Sequence, residues 1–109
     1  MSAALPVRIV TSAAIAIREA AKWWGANRPK VPSAFVEELE RGLQLIASQP
    51  AVGARARNTK LSNVRRIHLA RVHYHLYYRI TPEPPTVEVL ALWHTSRGQA
   101  PPEIGRAHV

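Results

Sequence analysis

Between residues 64 and 93 the chain writes three segments of alternating side chains, separated by turns with little room for anything else. Residues 64–70 carry Ile67 and Leu69 on one parity and Arg66 and His68 on the other. Residues 74–80 put Tyr74, Leu76, Tyr78 and Ile80 on one side and His75, Tyr77 and Arg79 on the other. Residues 86–93 set Val87, Val89, Ala91 and Trp93 against Glu88, Leu90 and Leu92, with His94 continuing the second set. Period-two patterning of this kind specifies strands. The turn Pro82-Glu83-Pro84-Pro85 cannot donate ladder hydrogen bonds at its prolines, so it closes a hairpin. The three strands form an antiparallel meander with one apolar face, and that face requires a cover.

The cover is encoded upstream. From Pro32 or Ser33 to Gln49, Phe35, Val36, Leu39, Leu43 and Ile46 recur at helical spacing, with Glu37, Glu38, Glu40, Arg41 and Gln44 on the polar side. Before it, residues 12–25 read as a first helix. Thr11-Ser12 supplies the cap, Ala13, Ile17, Ala20 and Trp24 the stripe, and Gly25 and Asn27 the stop. Trp23, adjacent to Trp24, reads as the edge of the core. The short spacer holding Pro29 and Pro32 makes an antiparallel helix hairpin the simplest arrangement. Val7–Val10, β-branched at Val7, Ile9 and Val10 and preceded by Pro6, reads as an opening strand. Residues 51–63 read as a loop of small and basic residues. The expected fold is α+β, in the order β-α-α-β-β-β, with the helix hairpin on one face of a mainly antiparallel four-stranded sheet. Residues 1–98 make one domain and residues 99–109 an extended tail.

Composition narrows the chemistry. There is no cysteine, which excludes disulfides, thiolate metal sites and a cysteine nucleophile. All seven acids are Glu, which excludes Asp dyads and Asp-rich metal sites. Fifteen Lys and Arg give a net charge of +8, and the excess lies downstream: +2 over residues 1–50 and +6 over residues 51–109. Twelve of the fifteen cations are Arg, whose planar fork suits phosphate and carboxylate. The implied partner is anionic, either nucleic acid or an acidic protein segment, with solubility alone as the plainer explanation. No apolar run is longer than Ala13–Ile17, far short of the ~20 residues that span a bilayer. A soluble, cytoplasmic protein without a secretion signal or membrane association is expected.

The sheet face opposite the helices is expected to carry Arg66, His68, His75, Tyr77 and Arg79, with His94 as a further candidate, flanked by Arg55, Arg57 and Lys60 of the loop. Cleavage of RNA through its 2′-hydroxyl needs a base, an acid and cations at the phosphorus centre. His68, His75 or His94 fit the first two roles, and Arg66, Arg79 or Arg97 the third. The composition permits this chemistry and does not require it, since strand histidines are mostly structural. His73 and His75, two apart, share a parity, but without Cys, Asp or a nearby Glu they make a poor metal pair. No metal or cofactor is expected. One of Tyr77 and Tyr78 belongs to the core, and the other is free to stack on a base.

In order and spacing the chain resembles the RelE/ParE superfamily of bacterial type II toxins. The resemblance is carried by the strand followed by Thr11-Ser12-Ala13-Ala14, by Leu45-Ile46-Ala47-Ser48-Gln49-Pro50-Ala51-Val52-Gly53, by Tyr77-Tyr78-Arg79-Ile80, and by Val87-Glu88-Val89-Leu90 running into Trp93-His94-Thr95-Ser96-Arg97. It covers roughly residues 6–98. It implies a growth-inhibiting toxin neutralised by a cognate acidic antitoxin. RelE-like members are ribosome-dependent mRNA endoribonucleases, whereas ParE-like members are generally described as poisons of DNA gyrase. His94 and Arg97 after the last strand look ParE-like, and no tyrosine follows Tyr78 to serve as a C-terminal catalytic Tyr. The preferred expectation is a ParE-like gyrase inhibitor, with Arg55, Arg57, Lys60, Arg66, His75, Tyr77, Arg79, His94 and Arg97 as candidates for target binding. The alternatives are a metal-independent endoribonuclease using Arg66, His68, Arg79, His94 and Arg97, acting on mRNA in the ribosome, and an inactive or general anion-binding member. The fold alone does not choose among them.

Overall fold

The computed structural model describes residues 3–57 and 59–97. The elements run β1 (Val7–Ile9), α1 (Thr11–Asn27), α2 (Ala34–Ser48), β2 (Ala54–Arg55), β3 (Arg65–Leu69), β4 (Tyr74–Thr81) and β5 (Thr86–His94). The expected 99–109 tail lies outside the described residues. The sheet has five strands in the order β1-β5-β4-β3-β2, antiparallel throughout except for the parallel pair β1–β5. The extra strand is β2. Its two residues pair with Arg66 and Arg65 inside the stretch expected to be loop. No alternation announces it, because two residues are too few to carry a period.

The helix hairpin covers one face, as the α2 stripe requires. Phe35 and Ile46 are fully buried against Leu76, Tyr78, Val87 and Val89, with Leu39 alongside and Leu43 half-buried at the edge. Each such burial contributes about 1.5–3 kcal/mol. From α1 the contacts are Ala13, Ala20 and Trp24. Alanines here bring the helix axis close to β5, so α1 contributes proximity more than apolar area. Val36, assigned to the apolar stripe, is exposed. Glu38, assigned to the polar side, is buried beneath the β3–β4 turn, where its carboxylate accepts the Arg71 backbone N–H at 3.2 Å and pairs with Arg41.

The helix starts also differ from the sequence reading. The N-cap of α1 is Val10, with no side-chain cap, and the helix runs through Gly25 to Asn27, whose Nδ2 donates to the Trp23 carbonyl at 2.9 Å. Gly25 faces open space, so nothing there forces a stop.

One irregularity changes which residues share a face. Tyr77 pairs with Ala91 but Tyr78 pairs with Val89, so Leu90 is an extra residue, a β-bulge in β5. Before the bulge Val87 and Val89 face the helices, as expected. After it the parity inverts. Leu92 joins the helix-side core, while Leu90, Ala91 and Trp93 pack with Tyr77 on the outer face. The expected grouping of Ala91 and Trp93 with Val87 and Val89 is therefore wrong. So is the placement of His94 on the outer face, because a bulge reverses every side chain that follows it.

Candidate functional site

The outer face is built by cross-strand pairs. The β3–β4 register sets Arg66 opposite Tyr77 and His68 opposite His75, and the β4–β5 register sets His75 opposite Trp93. Arg66 Nη1 lies 3.4 Å from the Tyr77 hydroxyl, and the His68 and His75 rings are 5.2 Å apart. Burial first, and then the charges of Arg66 and His68, hold the His75 imidazole below its ordinary range. The shift favours the neutral ring over the imidazolium. Tyr77 is buried, because Val64 and Leu61 from the β2–β3 connection fold over it. It is Tyr77 rather than Tyr78 that belongs to this face, but its ring is not free to stack.

Further along the same face Glu88 is buried between two cations. It is the register partner of Arg8 on β1 and of Arg79 on β4, and both pair with its carboxylate, Arg79 Nε at 2.8 Å. This triad ties three strands together. Arg79, a candidate for phosphate or target contact, spends its guanidinium there. Arg55 is exposed on β2 opposite Arg65, whose guanidinium donates to the carbonyls of Gly53 (2.7 Å) and Ala51 (3.2 Å). Arg57 and Lys60 are exposed on the connection to β3.

His94 sits across the sheet. Its register partner is Tyr74, which stacks edge-on against it at 5.1 Å and against Phe35 of the core at 5.6 Å. The Ser96 backbone N–H donates to His94 Nδ1 at 3.2 Å, and the Ser96 hydroxyl lies 2.8 Å from the same atom, which assigns the ring proton to Nε2. Arg97 lies with its guanidinium 4.3 Å over the Trp93 ring. His73 occupies the turn at φ 63° and His75 the outer face, so the two do not share a surface as their parity suggested. Among the described residues no cluster of three His or Glu could hold a metal ion.

Apart from Arg55, Arg57 and Lys60 on β2 and its connection and Arg97 over Trp93, the sequence-predicted residues fall into three groups. Arg66, His68, His75 and Tyr77 stand together. Arg79 is bound into the Glu88 triad. His94 is separated from both by the thickness of the sheet. A general acid at His94 and a base or cations at His75 and Arg66 do not flank one point.

The sequence from 7 to 98 matches the family model described as the ParE toxin of the type II toxin–antitoxin system, parDE. The chain belongs to the ParE toxin family. No curated protein matches it. The α+β architecture and the helix hairpin are compatible with that family's RelE/ParE fold. As a ParE-family chain it is a type II toxin, a component that acts with an antitoxin partner. Among its described residues no helix is long and apolar enough to cross a membrane.

One further surface is built from residues that the sequence reading did not single out for binding. A groove of about 360 Å³ runs between α2 and β3 over Gly42, with Leu45 and Ile67 on its walls and Arg41 and His68 at its rim. Gly42 forms its floor and lets α2 approach β3 closely, since a Cβ there would lie 2.8 Å from Leu69 Cδ2 and 3.2 Å from Ile67 Cδ1. Leu45, on neither the core stripe nor the charged side, was the available signal.

Proposed function

We propose that this ParE-family toxin inhibits growth non-catalytically, by engaging DNA gyrase through the cationic outer face and the Trp93–Arg97 end of β5, and that an acidic antitoxin neutralises it. The observation that carries this reading is the separation of the acid–base candidates by the bulge. With His94 on the helix side, the acid candidate at the end of β5 does not face the Arg66, His68 and His75 group, which supports reading the outer face as a charged, shaped binding surface. The groove between α2 and β3 suits an amphipathic antitoxin segment: apolar walls for its hydrophobic side chains and Arg41 for its carboxylates. Such a segment folds as it binds and can continue along the sheet edge.

One observation favours a second reading. His68 and His75, 5.2 Å apart beside Arg66, place two acid–base candidates and a cation on one face, so ribosome-dependent mRNA cleavage is the alternative. Purified toxin assayed for gyrase supercoiling and for cleavage of ribosome-bound mRNA separates the two. Loss of supercoiling with intact mRNA is the expected result, and cleavage with normal supercoiling would reverse the assignment. Co-expression with the product of an adjacent small gene should restore growth and yield a co-purifying complex.

A further inference from the structure

Trp23, expected at the edge of the core, is 47% exposed, and it stands between two clefts at the C-terminal end of α1. The first, about 350 Å³, is walled by Trp23, Trp24, Tyr74 and His94 and bordered by Arg28 and Arg71. The second, about 370 Å³, lies on the other side of the Trp23–Tyr74–His94 wall and is bordered by Arg97. Both volumes are in the range of ligand sites. Arg28 already rests on the two indoles, 5.4 Å from Trp23 and 5.6 Å from Trp24, so cation and aromatic surface are presented together. Among the described residues the only carboxylate lining either cleft is Glu19, in the second.

We propose that this paired cleft binds single-stranded nucleic acid, with one unstacked base on each side of the Trp23 wall and the backbone phosphates held by Arg28 and by Arg71, whose exposed pair with Glu37 at 3.1 Å a phosphate would replace. Aromatic faces accept any base, and arginines neutralise the phosphates between them. Two adjacent clefts sharing one aromatic wall match consecutive nucleotides better than one small molecule, which would fill a single side. The site is centred on the helix side of the sheet, meets the outer face only at its Trp93 and Arg97 border, and does not rest on the gyrase reading. A gyrase inhibitor and a nuclease would both gain from it a hold on an opened strand.

The test is fluorescence anisotropy with the full chain and a labelled 12-nucleotide single-stranded DNA, its RNA equivalent, the matching duplex and adenosine monophosphate, across a salt series. Single strands should bind at least tenfold more tightly than the duplex or the mononucleotide. Trp23→Ala should weaken single-strand binding tenfold or more, in line with the loss of base stacking, while leaving the melting temperature close to wild type. Arg28→Gln should weaken binding and flatten the salt dependence. Arg18→Gln, which removes the same charge from an exposed position of α1 away from the clefts, should do neither. Equal binding of duplex and single strand, unchanged binding by a folded Trp23→Ala, or equal losses for Arg28→Gln and Arg18→Gln would overturn the proposal in favour of unspecific charge attraction. Preference for the mononucleotide would overturn it in favour of a small-molecule site.

Discussion

Tyr78 shows how one hydroxyl fastens the basic loop to the sheet. Its ring is fully buried, and its Oη accepts the Gly53 N–H at 3.0 Å while donating to the Pro50 carbonyl at 2.7 Å. A side chain at position 53 would meet that oxygen, since a Cβ would lie 2.6 Å from it, which is why glycine stands there. Tyr78→Phe strands a buried N–H and should cost about 1–3 kcal/mol, measured by urea unfolding. Burial raises the Tyr78 phenol above its ordinary value of 10.0, opposed by the Gly53 hydrogen bond and by Arg65. The folded state then keeps a proton that the unfolded chain gives up, so this contribution is intact below pH ~10 and lost as pH rises through the folded value. Wild type and Tyr78→Phe should therefore converge in stability under alkaline conditions, and a constant gap would remove the phenol from the account. His75 has the opposite sign. Its lowered value gives stability present above pH ~6.5 and lost as pH falls through the folded value, so His75→Gln should flatten the acid side of the profile. The face that each of these residues occupies was legible in the alternation of residues 64–80. The face of His94 was not, because Leu90 interrupts the count and no residue at the bulge differs in type from its neighbours.

Among the elements, α2 does two jobs with neighbouring residues. Ile46 is fully buried in the main core, and Leu45, one position earlier, is 37% exposed on the groove wall. Ile46→Ala should cost about 2–5 kcal/mol, because a cavity remains beneath β4 and β5. Leu43→Ala, at a half-buried position, belongs at the lower end of that range. Leu45→Ala should leave the unfolding midpoint within ~0.5 kcal/mol of wild type, yet weaken antitoxin binding about tenfold, as loss of an apolar anchor does. Calorimetry on the complex, beside melts of the free toxin, distinguishes the two effects. The helix pair and the meander were readable because long periodic segments leave one arrangement that buries their stripes. β2 was not readable. It exists because the Tyr78 hydroxyl and the Arg65 guanidinium gather the backbone of residues 50–53 beside β3, and those partners are distant in sequence. The burial of Glu38 was hidden for the same kind of reason, since its partner is a backbone N–H in a turn 33 residues away.

At the scale of the molecule, the bulge and the charge excess together frame the functional question. Net charge of +8 should speed association with any anionic target, and the effect should fall between 50 and 200 mM salt for gyrase and antitoxin alike. Salt therefore does not separate poison from nuclease, but His94 and Arg97 do. His94 is seated by the Ser96 N–H and by Tyr74, and a glutamine side chain keeps an acceptor for that N–H. His94→Gln should consequently retain the fold. If His94 were a general acid, the same change would remove ~100- to 10,000-fold in cleavage rate. Arg97 lies over Trp93 at the end of the outer face, so Arg97→Glu removes a cation–π contact worth ~0.5–1 kcal/mol and reverses a charge at the surface proposed to meet gyrase. The expected pattern is gyrase inhibition little changed in His94→Gln and at least tenfold weaker in Arg97→Glu, with both proteins folded by thermal melt. A folded His94→Gln that loses its toxicity together with mRNA cleavage would make His94 the acid of a ribonuclease, with a base supplied from its own side of the sheet.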